Sequence, residues 1–259
     1  MNSPSRRPVS AVVIALNEEK NIAACLESLR WADEIVVVDS GSADGTREVA
    51  RRYTDKVYEL PWKGFGPQKQ AAVEKASHDV VFNVDCDERV TPGLAEEISG
   101  ILSAPGMAAA YTVPRRTFVG GKEIRHCGWY PDRTTRLLDR TRARFSDDIV
   151  HERIEVSGET RPLRNPLLHY PFSGIGDILV KMNRYSDLSA RQMFEQGRRC
   201  GVLDLTLRPA FAFLKTYLLR LGFLDGVEGL VISATTSWLV FTKYAKLREW
   251  ARSPGKGAE

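Results

Sequence analysis

Cysteine is scarce in this chain of 259 residues: Cys25, Cys86, Cys127 and Cys200 stand far apart, and none belongs to a CxxC pair. Neither a disulfide scaffold nor a structural zinc site has that spacing, so reduced thiols in a cytosolic compartment are the expectation. Long apolar runs are missing too. No stretch reaches the roughly 20 apolar residues that a spanning helix needs. The run Ala11–Leu16 behind Arg6 and Arg7 is too short for the apolar part of a signal peptide, and it leads straight into Asn17-Glu18-Glu19. These absences argue against a secreted protein and against a single-pass membrane protein. GxGxxG and GxxxxGK[ST] are also absent, which removes the dinucleotide and P-loop readings of any nucleotide pocket.

What is present suits a folded chain. The 43% hydrophobic and 27% charged residues argue against disorder, a collagen repeat or a coiled coil. The net charge of +4 hides an asymmetry. Residues 1–160 carry 22 Lys and Arg against 25 Asp and Glu, whereas residues 161–259 carry 15 against 8. An acidic front and a basic back suggest two tasks, the second facing nucleic acid or an anionic membrane.

The first hundred residues alternate in type. Val9–Leu16, Glu34–Asp39 and Asp79–Val84 are continuous apolar, β-branched runs, which predict buried strands of a parallel sheet. Between them, the spacing predicts helices over 18–29, with Asn17 as cap, and over 46–53 and 66–76, plus a short strand over 56–60. Thr91-Pro92 opens another helix through Leu102. This rhythm predicts an open α/β sheet with its ligands at the carboxyl ends of the strands. Short apolar runs from 108 to 168 predict a mixed, antiparallel extension of that sheet. After Pro171 the pattern turns helical, with one long helix over 175–195 and two more over 205–250. The expected division is a catalytic α/β domain over 1–170 and a helical region over 171–259.

Two clusters carry chemistry. Asp85-Cys86-Asp87 ends a buried strand, and a period of two would put both carboxylates on one side, about 7 Å apart. A hard divalent ion bridging to a diphosphate would satisfy them both. A pair of solvated acids before the Thr91-Pro92 helix is the alternative. The second cluster is Val36-Val37-Val38-Asp39-Ser40-Gly41-Ser42-Ala43-Asp44-Gly45-Thr46. An acid at a strand end can accept from a ribose or a base, and small residues let backbone approach a ligand. Alternatively, Asp44 simply caps the next helix.

Together with Val12-Val13-Ile14-Ala15-Leu16-Asn17-Glu18-Glu19, these clusters resemble, in order and spacing, the family 2 glycosyltransferases of the GT-A fold. Tyr130-Pro131-Asp132, Arg136-Leu137-Leu138, Val150-His151-Glu152 and the tail Gly222-Phe223-Leu224-Asp225-Gly226 with Gly229-Leu230 look like the bacterial subgroup that adds sugars to the lipopolysaccharide inner core. The resemblance implies a GT-A-like mixed sheet flanked by helices, with a C-terminal helical extension. It implies a UDP-sugar donor and a divalent metal, Mg²⁺ or Mn²⁺. Leu16, Asn17 and Glu18 would line the uracil and ribose pocket, Asp39 would grip the uridine, and Asp44 would support the loop. Lys69 stands where the family has a basic residue near the donor, or is an exposed helix lysine. Asp85 would face the donor sugar or ribose, and Asp87 would be the main metal ligand.

An inverting transferase needs one general base for the acceptor hydroxyl. Asp147, Asp148 and Glu152 are the candidates, with Glu152 preferred over Asp148 because His151 beside it can contact metal or phosphate. His151 is otherwise a packed strand histidine. Arg133 and Arg136 could hold phosphate or belong to a solvated face. The tail Arg208–Trp250 holds 8 of the chain's 23 aromatic residues and six Lys and Arg against three acids, which favours helices lying in an anionic membrane interface over a packed hairpin. The combined reading is transfer of a sugar, glucose foremost, to a lipid-linked glycan at the cytoplasmic face of the inner membrane, without nucleic acid as a partner. Transfer to polyprenyl phosphate and a non-catalytic nucleotide-binding scaffold are the rival readings.

Overall fold

A computed structural model of the protein describes residues 6–146, 153–172 and 174–252. The chain divides into two compact units, one of residues 1–116 and 132–169, the other of residues 117–131 and 170–259.

The first unit opens on β1 (Val9–Ala15), α1 (Glu19–Glu27), β2 (Glu34–Asp39), α2 (Thr46–Ala50), β3 (Val57–Glu59), α3 (Phe65–Lys75) and β4 (Val80–Asp85). Strands β1, β2, β3 and β4 are parallel and lie in the order β3-β2-β1-β4. β1, β2 and β4 are mostly apolar because both faces are covered. Val9, Ala11 and Val13 point to one side, with Ile22 and Leu26 of α1. Val12, Val36 and Val81 point to the other, with Ala72 and Val73 of α3. The sheet continues through antiparallel strands, as the sequence predicts: β8 (Asp132–Asp139) pairs with β4, and β6 (Ala110–Val119) pairs with β8. A small hairpin, β9 (Ala143–Phe145) with β10 (Ile154–Val156), stands apart as a second sheet, and β11 (Thr160–Pro162) runs parallel to β6.

Two local expectations fail. Asn17 does not cap α1. It sits at φ 55°, a left-handed conformation that asparagine tolerates. Its Oδ1 accepts from Ala43 N at 2.9 Å and so is not available to the helix. Nor does a single strand carry Asp85 and Asp87. β4 stops at Asp85, residues 86 and 87 turn, and β5 (Glu88–Val90) begins anew. The Glu88 carboxylate reaches back to accept from Asp85 N at 3.1 Å, and Arg89 donates to Cys86 O at 2.7 Å, which closes the turn. α4 (Pro92–Ser103) follows, with Thr91 Oγ1 accepting from Leu94 N at 3.2 Å as its cap. β12 (Leu167–Phe172) pairs antiparallel with β5 and sets His169 opposite Glu88.

The second unit is mainly helical: α5 (Ile175–Glu195), α6 (Val202–Leu214) and α7 (Gly226–Arg252), with α5 and α6 both packed on α7. β7 (Lys122–Ile124) joins it, paired with the end of β6. Asp225 is the bolt. Its buried carboxylate accepts from Arg125 N and His126 N, at 3.2 and 2.8 Å. Gly229 is a glycine because a Cβ there would lie 1.8 Å from Gly222 O. The Gly222–Gly229 motif is therefore a packing device in this unit.

Candidate active site

The register places the ends of three neighbouring strands level with one another. Ala15 pairs with Asp39, and Ile14 with Asp85. Asp39 and Asp85 thus stand two strands apart, about 10 Å, on either side of β1, where the strand order reverses. A crevice outside the carboxyl ends at such a point is where open α/β sheets bind ligands.

The loops after β1 and β2 are stitched together. Asn17 N donates to Ser42 Oγ at 2.8 Å, Glu18 N to Thr46 Oγ1 at 2.8 Å, and Glu19 N to Asp44 Oδ2 at 3.2 Å. The Thr46 hydroxyl, ahead of its backbone and that of Glu19, holds the Asp44 carboxyl below its usual range. Asp44 thus ties the loop after β1 to the loop after β2. Asp39 is fully buried, and its oxygens accept from Gly41 N at 3.0 Å, Ser42 N at 2.8 Å and Ser42 Oγ at 2.5 Å. In this arrangement it organises the loop. Leu16 follows β1 with an apolar side chain 46% exposed, free to lie against a planar ring.

Asp85 is the hub. Its Oδ1 stands 3.0 Å from Lys69 Nζ, and its Oδ2 accepts from Arg136 at 2.6 Å. Lys69 is therefore not an exposed helix lysine: it is 5% exposed, on the face of α3 that meets the sheet. Arg136 is 3% exposed and no part of a solvated face. Burial pushes the Asp85 carboxyl upward, but Arg136 and Lys69 outweigh it and hold the group well below the carboxylate range. Glu88, wholly buried, accepts from Arg136 at 2.5 Å and from Arg115 at 3.3 Å. Arg115 also pairs with Asp132. Sequence reasoning did not single out Glu88 or Arg115, and Arg136 only as one arginine among several.

Asp87 points elsewhere. His169 Nε2 lies 3.5 Å from its Oδ2. Nothing local marks His169, which arrives 82 positions later through the β5–β12 pairing. The catalytic candidates Asp148 and Glu152, together with His151, lie outside the described residues. The flanks of their segment are tied: Ser146 N donates to Arg153 O at 2.8 Å, and Gln70, next to Lys69 on α3, accepts from Phe145 N at 3.0 Å. Among the described residues, no group of three His, Cys, Asp or Glu is arranged to hold a metal alone.

Residues 10–164 match the model of a family described as glycosyl transferase family 2. The lipopolysaccharide core biosynthesis glycosyltransferase LpsC of Rhizobium meliloti is 34% identical, over 92% of this chain and 93% of its own. An uncharacterized glycosyltransferase of Rickettsia conorii is 27% identical over 96% and 93%. Among solved structures, residues 1–349 of TarS from S. aureus, in complex with UDP, superpose with a TM-score of 0.50 at 15% identity, over 96% of this chain and 92% of that one. The fold is the shared feature there: a mixed sheet with flanking helices, the GT-A-like architecture expected.

Proposed function

The chain belongs to the family 2 glycosyltransferases, and from that premise we propose that it transfers a sugar, glucose foremost, from a UDP-sugar to a lipid-linked glycan of the lipopolysaccharide inner core. The pairing of Asp87 with His169, beside the salt-bridged Asp85, carries the catalytic half of this reading. The likeness to LpsC along nearly the whole chain supports the acceptor class.

One carboxylate oxygen and one imidazole nitrogen, 3.5 Å apart at the carboxyl end of the sheet, fit Mg²⁺ or Mn²⁺, which take their remaining ligands from phosphate and water. Asp87 and His169 would hold such an ion, whose charge would stabilise the departing diphosphate. Asp85, kept ionised by Arg136 and Lys69, accepts from hydroxyls of the donor sugar or ribose. Leu16 covers one face of the uracil, and Asn17, Glu18, Asp39 and Asp44 hold the loops that frame it. Glu152, with Asp148 as the alternative, takes the proton from the acceptor hydroxyl. The acceptor's lipid keeps the enzyme at the cytoplasmic face of the inner membrane.

The test is UDP release from a panel of UDP-sugars, with Mn²⁺ or with EDTA, in the presence of truncated inner-core lipopolysaccharide. Release that requires both the metal and the acceptor is the expected result. No release with any donor, or release that ignores EDTA, overturns the reading.

A further inference from the structure

The helical unit carries an exposed apolar surface that holds none of the candidate site's residues. α6 runs on through the π-helical turn Lys215–Leu219. One side of it faces the unit's interior, where Pro209 and Thr216 are buried and Leu205 packs beside Leu247. Leu203, Leu207, Phe211 and Leu214 form another side. Spacings of four, four and three residues at 3.6 per turn set them within an arc of about 80°. All four are exposed, Leu203 to 68% and Phe211 to 59%. The helix is apolar on two sides and covers only one.

Between α6 and α7 lies a cleft of about 420 Å³, lined by Phe211, Ala212 and Val240 and by three cations, Arg208, Lys215 and Lys243. Arg208 and Lys243 both stand 5.3 Å from the ring of Tyr244. Asp204 pairs with Arg208 at 2.5 Å, but neither lysine meets a carboxylate among the described residues. Burial, then the nearby Arg208 and Arg198, hold Lys243 below its ordinary pKa. No helix among the described residues is long and apolar enough to cross a membrane. An apolar stripe beside concentrated cations is instead the pattern of a helix that lies in the interface.

We propose that this face of α6 and α7 docks on an anionic lipid bilayer. Leu203, Leu207, Phe211 and Leu214 enter the acyl boundary, and Arg208, Lys215 and Lys243 take the lipid phosphates. The assignment rests on the lipid-linked acceptor proposed above, and it states where the chain meets the lipid. Charge decides against a second copy of the chain as the cover. A two-fold contact through this face would set the same three cations against themselves, whereas lipid phosphates complement them.

Vesicle flotation of the full chain tests this, using phosphatidylcholine alone and a 7:3 mixture of phosphatidylcholine and phosphatidylglycerol. The intact chain should float with the mixed vesicles and bind the neutral ones at least tenfold more weakly. L207E/F211E should lose binding to both by tenfold or more. K215E/K243E should lose at least about fivefold per lysine on the mixed vesicles at low salt, and the deficit should shrink at high salt. Circular dichroism and UDP release with soluble acceptor fragments, unchanged in both variants, show that the fold and the transferase site are intact. L207E/F211E binding as the parent does overturns the proposal. So does a parent dimer that becomes monomeric in L207E/F211E while vesicle binding persists. Vesicle binding in a chain that releases no UDP would sink the transferase reading and leave the docking face standing.

Discussion

Buried carboxylates stand at both ends of the parallel sheet, and they are treated differently. At the amino end, Glu34 is served on every side. Ser10 Oγ and Lys56 Nζ donate to it, and Ser77 donates from both N and Oγ at 2.7 Å. At the carboxyl end, Asp85 and Glu88 share Arg136, yet Arg136 Nε has no hydrogen-bond partner, nor has either polar side-chain atom of Asn83, which lies further into β4 opposite Val12. With Arg47 Nε, which stands 3.8 Å from Asp39, these are four of the five buried side-chain polar atoms without a hydrogen bond among the described residues. A buried polar atom left unpaired costs about 1–3 kcal/mol. The two clusters thus differ in how completely their buried polar atoms are paired.

Substitutions at the two ends should therefore separate activity from stability. Asp87→Ala should lower transfer by about 10⁴-fold, the scale of losing several kcal/mol of charge stabilisation. Its melting temperature should stay within a degree or two of the parent. Normal turnover in this variant, measured with Mn²⁺, would remove Asp87 from the metal site. Glu152→Gln should keep donor affinity and lose about 10³-fold in kcat, mid-range for a general base. A comparable loss in Asp148→Asn, with Glu152→Gln active, would move the base to Asp148.

Glu34→Gln should show the opposite profile: turnover per folded molecule unchanged, and stability near neutral pH lowered by about 3 kcal/mol. Burial pushes Glu34 upward, but Lys56, Ser10 and Ser77 together bring it down from 4.5 to about 2. A depressed carboxylate stabilises the fold above its unfolded pKa, and the contribution fades as pH falls from 4.5 toward 2. The gap between parent and variant in urea melts should close over that window; a gap constant from pH 7 to 2 would contradict the assignment. The smallest effect is expected away from both clusters. Thr91→Ala removes the α4 cap and its bond to Pro166 O, at about 1 kcal/mol in the same melts.

Much of this architecture was legible because the signals are local. β1, β2 and β4 announce themselves as unbroken apolar runs, and α5 spans Ile175–Glu195 as its apolar periodicity predicts. The loop acids and the Asp85–Asp87 pair were visible for the same reason. Contacts between distant segments were not. The burial of Lys69 depends on which face of α3 meets the sheet, and Arg136 reads like its neighbours Arg133 and Arg140 until β8 is laid against β4. His169 reaches Asp87 only through a three-residue pairing of β5 with β12. The cap assigned to Asn17 failed because a loop 26 residues away competes for the same oxygen.

The Glu34 cluster also bears on rates. It joins the start of β1, the start of β2, the residue before β3 and the corner after α3, so no part of it exists until strands distant in sequence have docked. We expect bonds of that kind to form after the folding barrier and so to act as a brake on unfolding. In Glu34→Gln the lost stability should thus appear almost wholly on the unfolding arm of the chevron. At about 1.4 kcal/mol per tenfold, 3 kcal/mol is a native lifetime shortened by roughly two orders of magnitude, with the refolding rate untouched.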